Sequence, residues 1–439
     1  MDTFFTYMRD MLTNKSIRTK ILYTLVFLAL YRFLVFIPVP FANISQVLNA
    51  TSWNWGGLEY FAMLLWGTLE QFSIIAVWLI PYINASIILQ LLTAVVPKLE
   101  ELQEQWEQGT QKIQQITRRL SFPLAFLQSI GMVFFINYLL WWWVISTDPV
   151  TLLLSAFVLS VGTILLLWIW ELITEKGISN GISLLIFASI VAGVTSSIYT
   201  YISAAGGDLL WTVIFMVAIV LVLVVLSVLL IKTTKEIPVV YSRQGSNQET
   251  ATLPIPLNPV GMIPIIFAVA FATFPYLISQ LVTNLGSQSA QVTSMAEWIE
   301  QNFNIYTEQP GWIIIIVYFL LIVAFTFFYA TITFNPEKMA DNIQKRGWFV
   351  PGIRPWEDTA RYFSKVLNHL CLRWGMWLWL IGIYSYILSY IPFIADAARS
   401  LGSIPVVVQG AWVIIIVWVV QELINKINSE LLMEKYDQF

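Results

Sequence analysis

A stretch of the chain from residue 80 to 92 carries polar groups among isoleucine, leucine and alanine residues. It contains one proline and three side chains with amide or hydroxyl groups: Pro81, Asn84, Ser86 and Gln90. A polar group buried in hydrocarbon without a hydrogen-bond partner costs roughly 2–7 kcal/mol. Such groups persist where they face other helices or water. The pattern therefore predicts a membrane helix that lines a pathway.

Residue types that usually build catalytic or metal centres are nearly absent from the sequence. Cys371 is the one cysteine and His369 the one histidine, which excludes an internal disulfide and leaves no cluster for zinc or haem. There is no glycine-rich phosphate loop, no carboxylate pair within an apolar segment and no nucleophile elbow. We expect no enzymatic activity and no cofactor.

The composition is that of an integral membrane protein. The chain is 58% hydrophobic and 11% charged, whereas a soluble domain carries about 25% charged residues. No cleavable signal peptide is visible, because the first 20 residues are polar and basic and the next apolar run lacks a cleavage site. We expect that run to be the first membrane span.

Apolar windows of about 20 residues predict ten spans in all. They lie near residues 21–38, 72–96, 121–144, 151–171, 183–204, 209–231, 262–283, 312–333, 364–388 and 404–424. The segment 41–71 between the first two spans is too polar to cross the bilayer and too apolar for an ordinary loop. It predicts a half-inserted helix near residues 58–66.

Basic residues indicate the orientation. With the N-terminus inside, 20 of the 23 Lys and Arg residues fall on inner segments, and only Arg399 lies clearly outside. This asymmetry predicts that both termini are cytoplasmic. The inner loops 232–261 and 334–363 are long and rich in proline, so we expect shaped protrusions; plain connecting loops are the alternative.

The spans divide into two halves, 1–205 and 206–439. Each half has five spans, an odd number, so the halves cross the membrane in opposite directions. The second and seventh spans both combine proline with amide side chains, which points to a central pathway between inverted repeats. Chance placement of prolines is the alternative.

Eight blocks of the chain resemble those of the SecY family, in order and with the same spacing. They are Tyr31-Arg32 with Ile37–Pro40, Pro81–Leu92, Thr117-Arg118 with Gln128-Ser129, Glu171–Ser183, Asn258–Ala268, Phe334–Pro336 with Ala340–Asn342, Pro351–Pro355 and Leu431–Tyr436. The resemblance implies an all-α integral membrane protein with ten transmembrane helices, in two inverted pseudo-symmetric halves around an hourglass pore. It implies a channel that translocates unfolded secretory polypeptides across the membrane and releases membrane-protein helices sideways.

The resemblance also assigns roles to residues. The pore ring would consist of Leu79, Ile83, Ile186, Ile266 and Ile415. An aliphatic collar dewets when empty and offers a passing chain no fixed hydrogen bonds. Lipid-facing or packed side chains are the alternative, although Leu79 and Ile83 share a helical face, as a collar requires.

A lateral gate would be formed by Asn84, Gln128 and Asn258, whose amide hydrogen bonds are weak enough to open. Three separate helix-packing contacts are the alternative. Residues 42–70 would be a plug. Its hinges would be Gly56, Gly57 and Gly67. An interfacial helix anchored by tryptophans fits the plug segment equally well.

Arg354 and, more weakly, Arg243 would dock the partners that drive transport, although an exposed arginine is often only a solvated charge. The implied partners are the small membrane subunits SecE and SecG, the SecA motor ATPase, the ribosome, signal peptides with nascent chains, and membrane lipids. The implied location is the bacterial cytoplasmic (inner) membrane, with multiple spans.

The chain departs from the family pattern where bulky residues replace small ones. The tryptophans concerned are Trp78, Trp106, Trp356 and Trp418, and the loop tip 244–250 is short and poor in basic residues. These differences bear on helix spacing and on ribosome affinity.

Two rival functions remain open from the residues. An inverted-repeat transporter for a small molecule normally needs a charge at mid-membrane depth, and Arg32, Glu171 and Arg373 all lie near span ends. An insertase without an aqueous pore would need no plug, so the segment 41–71 argues against it.

Overall fold

The structure is a computed structural model. It describes residues 13–42, 72–93, 95–139, 145–146, 148–204, 209–241, 250–258, 260–284, 290–303, 311–345, 347–354, 356–389 and 410–437. The predicted plug lies outside these residues except for residue 42, and with it lie the predicted hinges Gly56, Gly57 and Gly67. Arg243 also lies outside them.

Each of the ten predicted spans coincides with a helix. In chain order, α1 to α13 are Lys15–Val35, Ile80–Thr93, Pro97–Glu104, Trp106–Leu139, Pro149–Lys176, Gly181–Ala204, Leu209–Lys232, Ile263–Asn284, Ala290–Phe303, Trp312–Thr333, Pro336–Lys345, Glu357–Ser389 and Gly410–Asp437. Helices α3, α9 and α11 lie outside the predicted spans. Within the described ranges, four stretches are long and apolar enough to cross a membrane: Pro149–Lys176, Trp312–Lys345, Glu357–Tyr384 and Trp412–Met433.

The predicted start of the second span at residue 72 is wrong. Helix α2 begins at Ile80, and residues 72–79 form turns. Trp78 has a φ of 51°, which a right-handed helix cannot contain. Pro81 occupies the first helical turn, where the missing N–H has no intrahelical partner to lose, so its position suits a helix that begins here.

Three helices extend well beyond their apolar windows. Helix α4 begins at Trp106 rather than near residue 121, α12 begins at Glu357, and α13 continues to Asp437. The added turns are rich in Glu, Gln, Lys and Leu, which are good helix formers. Helix propagation needs no apolar surroundings once a nucleus exists, so hydropathy alone misplaces these ends.

The two long proline-rich loops fold together as one sheet, which the sequence analysis did not predict. Strands β1 (Thr234–Tyr241) and β2 (Thr250–Pro256) come from the first loop, and β3 (Trp348–Phe349) comes from the second. The order is β2-β1-β3 and both pairings are antiparallel. The described parts of these loops therefore form a defined sheet, and their protrusion on the cytoplasmic side stays a prediction.

Prolines fit this sheet because of where the strands pair. Strand β3 contacts β1 only at Val240 and Tyr241, so Pro238 lies where β1 has β2 as its one neighbour. Pro254 lies on β2, which is an edge strand. Edge positions leave one side of a strand without ladder bonds, which is where proline is tolerated.

The chain separates into two compact units. The first comprises Met1–Ser196 with Glu422–Phe439, and the second comprises Ser197–Gln421. The division between residues 205 and 206, which was based on inverted symmetry, stays a prediction.

In the first unit, α4 packs against α2 and α5, and α1 packs against α5. The approach of α5 to the turn before α2 is so close that a Cβ on Gly162 would overlap the Ile74 carbonyl oxygen. The C-terminal part of α13 joins α1 through a small core of Ile17, Ile178 and Ile427. An ion pair between Lys20 Nζ and Glu430 Oε1, at 2.6 Å, accompanies that core.

In the second unit, α10 packs against α8 and α12, and α11 packs against α12. The sheet shares a core with α11 and the first turns of α12. Its buried members are Ile237, Val239, Ile255, Ala340, Val350, Phe363 and Leu370.

Candidate functional site

The pore-ring candidates of the first unit are buried or half-buried. Leu79 is fully buried just before α2, and Ile83 is half-buried one turn later. The Ile83 N–H donates to the Leu79 carbonyl at 3.0 Å, so the two side chains are in helical register on one face. Ile186 lies in a buried run on α6.

In the second unit, Ile266 on α8 is half-buried and Ile415 on α13 is buried. Ordinary helix packing buries aliphatic side chains in the same way. Burial therefore does not separate a collar from a core, and the ring stays a prediction.

The polar side chains of α2 are partly satisfied within the helix itself. Gln90 Nε2 donates to Ser86 Oγ at 3.1 Å, one turn earlier. The Gln90 Oε1 atom is buried and has no hydrogen-bond partner among the described residues. Asn84 is half-buried. These contacts do not test whether α2 lines a pathway, which stays a prediction.

Gln128 lies on α4, which packs against α2, the helix of Asn84. Its Oε1 is buried, and in the described part of the chain it accepts no hydrogen bond. The next residue, Ser129, is fully buried, and its Oγ lies 3.4 Å from Ser160 Oγ on α5. Among the described residues of the first unit, the buried amide oxygens of Gln90 and Gln128 thus have no hydrogen-bond partner.

Asn258 closes the turn that leads into α8. It is only 4% exposed, and its Oδ1 accepts the Gly261 N–H at 2.6 Å. This local bond is one that asparagine commonly makes in turns. The Asn258 Nδ2 is buried and finds no acceptor among the residues described. The Oδ1 of Asn258 is thus used within its own turn, and the Nδ2 is the atom that could bond across the predicted gate.

Two tryptophans hold the same turn. Gly261 has a φ of 70°, and its carbonyl accepts the Trp374 Nε1–H at 3.1 Å. A Cβ added to Gly261 would lie 3.2 Å from Cζ2 of Trp418, so the indole covers the glycine α-carbon. We call Asn258, Gly261, Trp374 and Trp418 the Gly261 clamp. The sequence analysis noted Trp418 as a departure from the family but did not identify Trp374.

A charged pair lies at the contact of α4 and α5. Arg118 forms an ion pair with Glu171, whose side chain is 24% exposed. Beside it, the rings of Tyr82 and Trp170 lie 4.7 Å apart. Glu171 therefore has a charged partner on the neighbouring helix α4, and both residues lie near the ends of their predicted spans.

Arg354 lies on the exposed turn that follows β3. Its carbonyl accepts the Thr359 hydroxyl at 2.8 Å, which ties the turn to the first turns of α12. Within the described ranges, its guanidinium takes part in no ion pair, whereas Arg361 pairs with Glu357 at 2.5 Å. The structure therefore leaves the predicted docking arginine available.

Comparison with known proteins identifies relatives over nearly the whole chain. Residues 73–424 match the family model described as SecY. The protein translocase subunit SecY of Staphylococcus epidermidis is 35% identical, and the match covers 97% of this chain and 97% of that protein. The same-named subunits of Staphylococcus carnosus and Staphylococcus aureus are 34% and 32% identical, each with 97% of both chains covered.

Solved structures of channels share the fold. A SecY structure described for its plug domain aligns with a TM-score of 0.61 at 19% identity, covering 95% of this chain and 93% of that one. A protein-conducting channel aligns at 0.59 and 17% identity, with the same coverage of both chains. Sec61 from a canine ribosome-channel complex aligns at 0.55 and 17%, again with that coverage. The fold class is therefore that of these channels, and the chain is a multi-pass membrane protein.

Proposed function

The chain belongs to the SecY family, and from this premise we propose that it is the protein-conducting channel of a bacterial Sec translocase. It passes unfolded secretory polypeptides across the cytoplasmic membrane and releases membrane-protein helices into the bilayer. The observation that carries the proposal is the similarity to translocase subunits at 35% identity over 97% of the chain. Glu171 lies near the end of its predicted span and not at mid-depth, which gives no support to a small-molecule transporter.

The pore ring is proposed to consist of Leu79, Ile83, Ile186, Ile266 and Ile415. Its members are all aliphatic, so an empty ring repels water and ions and a passing chain meets no fixed hydrogen-bond partner. The shared helical face of Leu79 and Ile83 supports the assignment.

Asn84, Gln128 and Asn258 are proposed to form the lateral gate. Hydrogen bonds between membrane helices average about 0.6 kcal/mol, which is weak enough to exchange when a signal helix arrives. The buried Gln128 oxygen and the buried Asn258 nitrogen, both without partners in the described part of the chain, support this role. A buried polar group without a partner costs about 1–3 kcal/mol, so an incoming peptide group would bind it readily.

The remaining parts of the proposal concern the plug, the partners and the orientation. Residues 42–70 are proposed to close the channel at rest, with both termini in the cytoplasm. Arg354 and Arg243 are proposed to dock the SecA motor or the ribosome, and SecE and SecG to bind as small membrane subunits. The channel itself is proposed to have no enzymatic activity, so that its partners supply the energy.

An ion-leak experiment tests the pore ring. We expect the double variant Ile266→Gly and Ile415→Gly to make reconstituted vesicles permeable to chloride, because the ring loses two aliphatic side chains. Ile313→Gly with Ile316→Gly is the matched control, since both of those isoleucines are exposed on α10. Ion tightness equal to that of the control would refute the ring assignment.

A cross-linking experiment tests the channel function itself. A secretory chain arrested during transport should cross-link to a photoreactive residue placed at position 83 or 415, and not to one placed at position 316. Failure to cross-link at both ring positions, with export intact, would overturn the proposed route through the protein.

A further inference from the structure

One exposed aromatic residue lies next to the available arginine on the turn before α12. Trp356 is 65% exposed and has a φ of 82°. A positive φ is a genuine outlier for a bulky side chain, because the Cβ crowds the backbone. Glycine would adopt this conformation without cost. The chain therefore keeps a large apolar side chain where both solvent and backbone disfavour it.

The side chain of Trp356 is also unsuited to the position that it occupies before α12. Its carbonyl accepts the Ala360 N–H at 2.9 Å, so it occupies the position just before the first helical residue of α12. That position favours Ser, Thr, Asp or Asn, whose side-chain oxygen accepts a hydrogen bond from a free N–H of the first helical turn. Glycine is also common there. The indole has a donor and no acceptor, so it cannot cap the helix. Residues that break local rules in this way concentrate at functional sites.

The turn that carries Trp356 is held firmly in place. Ile353 packs against the core of the sheet. The Thr359 hydroxyl, on a residue that is 3% exposed, donates to the Arg354 carbonyl. The Arg354 backbone is therefore tied to the sheet core and to α12, so less conformational freedom is lost when a partner binds its guanidinium.

The charges around the turn indicate the chemistry of the partner. Glu357 and Asp358 lie beside Trp356 and pair with Arg361, at 2.5 Å and 3.8 Å. These carboxylates repel the phosphates of a nucleic acid. The Arg354 guanidinium has no ion pair in the described part of the chain, so it is free to bind a carboxylate in the bidentate manner. A protein can offer a single carboxylate to Arg354 beside an apolar pocket, whereas RNA carries a phosphate at every nucleotide, so the surface fits a protein better than RNA.

We propose that Trp356 and Arg354 form a docking anchor for a protein partner that offers an apolar pocket to the indole and a carboxylate to the guanidinium. Tryptophan and arginine are the residues that most often dominate binding at protein interfaces. The inference rests on the proposed function, in which the loop 334–363 meets the SecA motor. It adds that Trp356 provides the apolar half of the contact, and that the partner is bound through protein and not through RNA.

The variant Trp356→Gly separates docking from a structural role. Because the indole is lost, we expect the full-length variant channel in lipid nanodiscs to bind purified SecA at least about tenfold more weakly. The substitution also removes the strain of a positive φ at a bulky residue. Its thermal unfolding midpoint should stay the same or rise. A merely structural tryptophan would lower the midpoint when removed. A lower midpoint with unchanged SecA binding would therefore overturn the proposal.

Phe41→Gly is the matched control. Phe41 is 64% exposed and has a φ of 68°, close to the values of Trp356, and it follows α1 rather than the sheet. Its replacement relieves the same kind of backbone strain, and SecA binding should not change. Arg354→Lys keeps the charge but loses the bidentate geometry, so it should weaken binding as well. Wild-type affinity in both Trp356→Gly and Arg354→Lys would refute the anchor.

Purified ribosomes serve as the second probe. If Trp356→Gly weakened ribosome binding and left SecA binding intact, the partner would be recognised through a nucleic-acid surface and the inference would be wrong. The cross-linking experiment separates this failure from failure of the proposed function. Normal cross-linking at position 83 or 415 with unchanged docking would overturn only the anchor, and a wild-type channel that neither cross-links nor binds SecA would overturn both.

Discussion

Replacing Gly261 with alanine tests the clamp at the start of α8. The substitution adds one methyl group to a residue whose φ is 70° and whose α-carbon is covered by the Trp418 ring. The new Cβ would lie 3.2 Å from Cζ2 and 3.4 Å from Cε2 of Trp418. A contact of 3.2 Å is closer than ordinary van der Waals contact, so the half-buried indole would have to shift by a few tenths of an ångström.

Two costs add in this variant. A left-handed conformation costs an alanine roughly 1–2 kcal/mol relative to glycine. Overpacking a closely packed site typically costs a further 1–3 kcal/mol. We therefore expect Gly261→Ala to lower the free energy of unfolding by about 2–5 kcal/mol. Because Asn258 belongs to the same turn, the proposed gate would be displaced as well.

Gly352→Ala is a control that carries only the first cost. Gly352 has a φ of 80°, and a Cβ there would meet nothing within 4 Å. Unfolding in mixed detergent and SDS micelles, followed by tryptophan fluorescence, should show Gly352→Ala losing only about 1–2 kcal/mol. In a double-mutant cycle, Gly261→Ala is combined with Trp418→Leu. The double variant should lose about 1–3 kcal/mol less unfolding free energy than the sum of the losses of the two single variants. Equal losses at the two glycines, with additive behaviour towards Trp418, would refute the clamp.

Two further predictions concern the first unit. Gly162→Ala should cost about 3 kcal/mol or more, because its Cβ would overlap the Ile74 carbonyl oxygen. Gly131→Ala should instead stabilise by up to about 1 kcal/mol, since Gly131 lies inside α4 and nothing lies within 4 Å of its Cβ. The same unfolding assay measures both, and a mild Gly162 variant would show that α5 does not approach the turn so closely. Lys20→Glu should destabilise the docked C-terminal part of α13 by about 1 kcal/mol, since Lys20 is 37% exposed and Glu430 is 17% exposed. Adding Glu430→Lys should restore protease resistance of that segment; no recovery would exclude the ion pair as the cause.

The tryptophans that distinguish this chain from the family pattern have different roles. Trp78 is fully buried with a φ of 51°, and Trp356 is exposed with a φ of 82°. Both thus adopt a backbone conformation that suits a small residue, as the resemblance implies for these positions. Trp418 instead fills the space above Gly261.

Much of the helical framework could be predicted from the sequence. Long apolar windows make all ten predicted helices visible, because a chain in hydrocarbon must satisfy its backbone hydrogen bonds internally. Helix ends were predicted less well, since the polar turns of α4 and α13 carry no hydropathy signal. The sheet was missed because its prolines normally argue against strands, and only the short reach of β3 makes Pro238 acceptable.

The sequence by itself determined the class of the molecule, the number and rough position of its apolar helices, and the family. These follow from composition, periodicity and short local motifs, which neighbouring residues along the chain carry. Only the tertiary structure decided which polar groups find partners. The bond from Trp374 to Gly261 spans 113 positions and the ion pair from Lys20 to Glu430 spans 410. Such contacts depend on how helices approach one another in space, and no local spacing in the chain encodes that approach.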